Sequence, residues 1–121
     1  MLTLKHYDEV YNGQAKFDEA ADNHHLLQAY GETKRAGNAI LSFCNGMYEE
    51  DAGEIADILR ETGTREFTIS GKVDIKTLEI LEAHGFVIAC LVHVNSPYTY
   101  SGLYGQEGHE IVPALLLKLM A

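Results

Sequence analysis

The sequence has no tryptophan, only two prolines and only two cysteines among its 121 residues. Cys44 and Cys90 each sit inside an apolar run, AILSFC and FVIACLV, and read as small buried hydrophobes. Nothing secretory accompanies them, so a disulfide framework has no support. Positive charge is scarce, with 9 lysines and arginines against 18 aspartates and glutamates and a formal charge of -9. A surface of that sign repels phosphate backbones and anionic headgroups, which argues against direct nucleic-acid or membrane binding. Long apolar runs are missing too: the longest, residues 86–92 and 111–117, fall far short of the ~20 residues of a spanning helix. The opening MLTLKHYDEV has no apolar core followed by a cleavage site, so a cytoplasmic location is the expectation.

Familiar chemistry is also lacking. There is no nucleophile elbow, phosphate-binding Walker loop, dinucleotide fingerprint or kinase motif. The six histidines, His6, His24, His25, His84, His93 and His109, include no i, i+4 pair, and no Cys-x-x-Cys accompanies them. His24 and His25 are adjacent and point to different sides of a helix, so neither a metal site nor a cofactor is expected.

What is present is the balance of an ordinary folded domain, 46% hydrophobic and 22% charged. One α/β domain over residues 1–121 is expected, with a helical segment at about 14–35 and an α/β core at about 38–120. The first helix reads with Phe17, Ala20, Ala21, His24 and Leu27 inward, basic Lys34 and Arg35 in its last turn, and Gly37 as its stop. Residues 39–44 follow as a short strand. Residues 49–62 carry Ala52, Ile55, Ala56, Ile58 and Leu59 at helical spacing behind an acidic first turn, with Gly63 beyond. Residues 66–70 alternate as a second strand. Asp74 caps a third helix that ends before Gly85.

Residues 86–94 read as a third strand, apolar throughout and therefore covered on both faces. Residues 95–109 read as a Tyr/Gly loop and residues 110–120 as a final strand, with a terminal helix from Pro113 as the competing reading. Pro113 cannot donate to a ladder and marks an edge or bulge. The βαβαβ order demands right-handed crossovers and three parallel strands, with the last strand antiparallel.

Ligands of open α/β sheets bind beyond the carboxyl ends of parallel strands. That rule selects a rim of Asn45, Ser70, Lys72 and Asn95, with Tyr98, Tyr100 and Tyr104 on the loop that starts there. Tyrosines on a Gly-rich loop suit a ligand lid or a protein interface. Tyr104 and His109 carry groups able to act as general acid or base. The run Glu49, Glu50, Asp51, Glu54 and Asp57 reads as a solvated helix face.

The order of elements, with TLEILEAHGFVIACLVHV leading into the third strand and PALLLKLM closing the sheet, resembles the C-terminal half of the Gcn5-related N-acetyltransferase fold. The resemblance spans about residues 38–120 and implies the strand order first-second-fourth-third. That family cradles the pyrophosphate of acetyl-CoA on a Gly-rich basic loop. Here the corresponding stretch reads CNGMYEEDAGE, with no basic residue and three carboxylates at the helix start. The runs GEIADILRETGTREFTISG and EAHGFVIACLVHVNSPYT also resemble a set of short bacterial proteins without assigned activity.

These readings together favour a non-enzymatic binding or protein-interaction module that forms a homodimer. A diverged acyl-CoA-dependent acetyltransferase is the alternative. An acidic inhibitor or mimic of a basic protein partner is the second.

Overall fold

Among the described residues, two of the three helices start on a side chain that caps their first turn. The structure, a computed structural model, describes residue 9 and residues 23–101 and 107–120, with the side chains of 99–101 and 107 outside that description. Helix α1 spans His24–Ala36; the Asn23 side chain accepts the Leu26 N–H at 3.0 Å, and Gly37 at φ 72° closes the far end on the Lys34 and Thr33 carbonyls. Strand β1 is Ser42–Phe43 and helix α2 is Glu49–Glu61. Strand β2 is Glu66–Ile69, and helix α3 is Ile75–Ala83, capped by Asp74 on the Thr77 N–H at 2.8 Å. Strands β3, Phe86–Ser101, and β4, Glu107–Leu119, form a long antiparallel hairpin.

The sheet order is β1-β2-β4-β3. β1 pairs in parallel with β2, whereas β4 runs antiparallel to both β2 and β3, so three strands share one direction and the last opposes them. This is a small α/β domain with helices packed on a four-stranded mixed sheet, and its strand order is the one that the resemblance implies. The terminal segment is strand, not helix. Pro113 lies two residues beyond the last β2–β4 pair, Ile69↔Leu115, where β4 has no neighbour on that side among the described residues and a missing N–H costs nothing.

The two crossovers put α2 and α3 on one face. There Ile55 and Leu59 of α2 and Leu81 of α3 meet Phe43, Phe67, Ile69, Phe86 and Leu117 in one buried cluster. Phe67 stands at its centre, edge-on to Phe43 at 5.4 Å and to Phe86 at 5.0 Å. A surface pair between His84 Nδ1 and Asp57 Oδ1, 2.9 Å apart, ties α3 to α2.

Helix α1 takes the place of a strand beside β1. The Thr33 hydroxyl accepts the Ser42 N–H at 2.9 Å and lies 3.2 Å from the Ser42 carbonyl, so a side chain completes the outer edge of a two-residue strand. On the face away from the core, Thr68 Oγ1 donates to Ser42 Oγ at 2.8 Å.

Four expectations need correction. The first strand is two residues, not six, because only Ser42 and Phe43 find partners in β2. The inward face of α1 consists of Leu26, Ala29, Thr33 and Ala36, with Glu32 among them, while His24 is exposed. Phe17, Ala20 and Ala21 lie outside the described residues.

The third strand is not covered on both faces. Among the described residues it is the sheet's edge, and Ile88, Ala89, Cys90 and Leu91 are exposed, so Cys90 is no core residue. The expected loop at 95–109 is mostly strand, because β3 and β4 continue to Ser101 and from Glu107. The hairpin carries register shifts at Ile88/Cys90 and Asn95/Thr99, and β3 contacts α1.

Candidate functional site

Two glycines shape the carboxyl ends of β1 and β2. Gly46 at φ 78° and Gly71 at φ 84° lie in the left-handed region, and a Cβ on Gly46 would overlap the Lys72 carbonyl. That carbonyl accepts the Met47 N–H at 3.3 Å, which locks the two strand ends together.

A cavity of about 310 Å³ opens beside them, at the end of β1 between α1 and α2. Glu32 of α1 lines it and is only 4% exposed. Its Oε1 accepts the Asn45 Nδ2 at 2.8 Å and the Gln28 Nε2 at 3.3 Å, and no hydrogen bond reaches Oε2 among the described residues. No cation among those residues forms an ion pair with it.

Cys44 is the neighbour across the cavity. Burial, reinforced by the Glu32 charge, pushes its thiol up from 9.0 to about 11. It is therefore a protonated thiol at neutral pH and a poor nucleophile. At the mouth stand His25, Tyr48 and Tyr98. The His25 ring packs edge-on to Tyr48 at 5.2 Å, and its Nε2 lies 3.4 Å from Asp51 Oδ2.

A second, wider cavity of about 590 Å³ lies between the first turns of α2 and α3 and shares Asn45, Met47 and Tyr48 with the first. Glu49, Glu50, Lys72 and Asp74 line it, and Lys76 reaches Glu49 at 3.3 Å. Tyr48 at the N-cap of α2 offers no side-chain bond to the helix amides, and three carboxylates fill the first turn. An anion would meet those carboxylates before the helix N–H groups.

The residues expected at the rim are divided among several places. Asn45 lines both cavities, Tyr98 the first and Lys72 the second. Ser70 is buried, with its hydroxyl 3.5 Å from the Cys44 carbonyl. Asn95 lies within β3, away from the ends of β1 and β2. Its N–H donates to Asn38 Oδ1 at 3.0 Å, its carbonyl accepts Asn38 Nδ2 at 2.8 Å, and its own amide reaches the Ala36 carbonyl at 3.2 Å. The Tyr100 backbone pairs with Gly108, while its side chain and all of Tyr104 lie outside the described residues. His109 sits opposite Thr99 in β4, with its Nδ1 buried and without a hydrogen-bond partner.

Sequence reasoning missed Glu32, Cys44, His25, Gln28 and Tyr48 as companions of Asn45. The signal for Glu32 was available: it stands three residues after Ala29, on the same stripe as Leu26 and Ala36, an acid where a helix buries its apolar face. Among the described residues no group of three or more His, Cys, Asp or Glu could hold a metal ion. No helix among them is long and apolar enough to cross a membrane.

The fold and its strand-end cavity thus define a small α/β domain whose cavity carries a buried acid. The chain belongs to the family defined by a domain of unknown function, DUF7698, whose model matches residues 25–119, from α1 through β4. No curated protein and no solved structure matches it. The matched family is not that of the Gcn5-related acetyltransferases.

Proposed function

We propose that this chain is a non-enzymatic interaction module that pairs with a second copy of itself along the outer edge of β3. An edge strand presents a row of free N–H and C=O groups, and soluble proteins usually blunt such edges with charge, lysine above all, or with proline. β3 carries neither defence over residues 86–94. It exposes Ile88 at 50% and Leu91 at 64%, beside the exposed thiol of Cys90. The free edge ends at Asn95, whose backbone groups are taken by the Asn38 side chain acting as a mock strand.

Charge identifies the occupant. Two chains of -9 repel one another over most of their surfaces, and the segment 86–94 contains no Asp, Glu, Lys or Arg at all. An antiparallel pairing about a two-fold axis brings that neutral segment against itself. The observation that carries the reading is this uncharged, apolar edge, unpaired among the described residues.

The test is the solution mass of the wild-type chain and of Leu91→Lys. Light scattering at micromolar concentration should give twice 13.4 kDa for the wild type and 13.4 kDa for the variant. A wild-type monomer would overturn the proposal. So would a Leu91→Lys dimer. Leu91 is exposed, so the substitution leaves the core untouched.

The diverged acyltransferase keeps one observation in its favour, the order β1-β2-β4-β3 with three parallel strands and one opposed. The acidic first turn of α2 stands against it, because a pyrophosphate would have to replace Glu49, Glu50 and Asp51 in the field of the helix N-terminus.

A further inference from the structure

We infer that the cavity beside Glu32 is a binding site for a small organic cation: a primary ammonium group on a short apolar stem. The site borrows Tyr98 from β3 but lies beyond the free edge at residues 86–94, and neither reading depends on the other.

The first support is an uncompensated charge. Carboxylates withdrawn from water are normally paired with a cation or with several hydrogen-bond donors. Glu32, at 4% exposure, has two neutral amide donors, both on Oε1, and no cation partner among the described residues. Oε2 is left free in a residue that lines an open cavity, so a positively charged donor entering there would complete the pair.

The second support is shape and lining. A volume of about 310 Å³ matches the lower range of small-molecule sites, which are walled by apolar and aromatic groups with a few placed polar ones. Ala29, Phe43, Met47 and Ile55 give the apolar wall, and Tyr48 and Tyr98 flank it with rings that favour a cation over their faces. Asn45 and Gln28 hold the carboxylate in place.

The chemistry selects among cations. A guanidinium binds both oxygens of a carboxylate at once, and Oε1 is already occupied, whereas an ammonium needs one oxygen. A divalent metal would need further ligands, and no group of three or more His, Cys, Asp or Glu among the described residues supplies them.

The experiment is calorimetric titration of the full chain at 0.15 M salt with n-butylammonium, and with n-butanol and butyrate as neutral and anionic counterparts of the same size. Saturable binding of n-butylammonium alone, weakened at least tenfold in Glu32→Gln, is the expected result. Absence of saturable binding would overturn the proposal, as would equal binding of n-butanol or unchanged affinity in Glu32→Gln, the mark of diffuse attraction to an acidic surface. Circular dichroism checks that the variant folds. If Glu32→Gln does not fold, Tyr98→Ala decides: Tyr98 is exposed and can be removed safely. A several-fold loss of affinity then supports the site, and no change refutes it.

Discussion

Thr33→Val removes one oxygen and nearly preserves the shape of the side chain, which makes it a clean probe of how α1 is attached to the sheet. The hydroxyl accepts the Ser42 N–H at 2.9 Å, where Thr33 and Ser42 are both buried. Water has no access to replace it, so the variant leaves a buried donor without an acceptor, at a cost of about 1–3 kcal/mol. The β1–β2 contacts should survive, because Thr68 N–H to the Leu41 carbonyl and Ser70 N–H to the Phe43 carbonyl, both 2.9 Å, are on the other side of the strand. With a urea dependence of about 2 kcal/mol per molar, the unfolding midpoint drops by roughly 0.5–1.5 M. Amide exchange at Ser42 should accelerate more than exchange in β2, and Thr33→Ser should recover most of the loss. A Thr33→Val variant within about 0.5 kcal/mol of wild type, with Ser42 exchange unchanged, would refute the idea that a helix side chain serves as the missing neighbour of β1; ordinary surface substitutions produce no more than that.

Other outcomes follow from the same structure. Cys44, with its thiol raised to about 11, should resist iodoacetamide at pH 7.5 while the exposed Cys90 is alkylated; mass spectrometry of a digest reads both. Because the folded state holds that proton more tightly than the unfolded one, stability should fall as pH rises from about 9 towards 11, and Cys44→Ala should flatten the slope. Gly46→Ala should destabilise far more than Gly37→Ala in urea melts. Both sites have positive φ, costing about 1–2 kcal/mol, but only the Gly46 Cβ meets backbone, the Lys72 carbonyl. Acetyl-CoA at millimolar concentration should leave the melting temperature unchanged; a bound ligand at 100 times its dissociation constant would add about 2.7 kcal/mol, and such a shift would restore the acyltransferase reading.

The order of elements was legible because its signals are local. Gly37, Gly63 and Gly85 follow three helices, Asp74 caps one, and two βαβ crossovers of fixed hand leave few topologies. Surroundings were harder to read than elements. Residues 86–94 look like a fully buried strand in sequence, yet they form an edge, because an apolar run records what could be buried and not what covers it. The continuation of the hairpin through Asn95 and Tyr98 was hidden behind Pro97 and the glycines that follow, which also suit a loop. Of the cavity, Asn45 and Tyr98 were reachable from the strand-end rule. Glu32 was not, since nothing in the strand-end rule points to the opposite wall, which comes from a helix thirteen residues earlier.

Hydrogen exchange of the β3 backbone as a function of protein concentration tests the proposed edge pairing most directly. If two copies meet along this edge, outward-facing amides between residues 86 and 94 gain protection as concentration rises through the association range, while those of α2 and β2 do not change. Amides of β3 that exchange at one rate at every concentration, from low micromolar to millimolar, would contradict it.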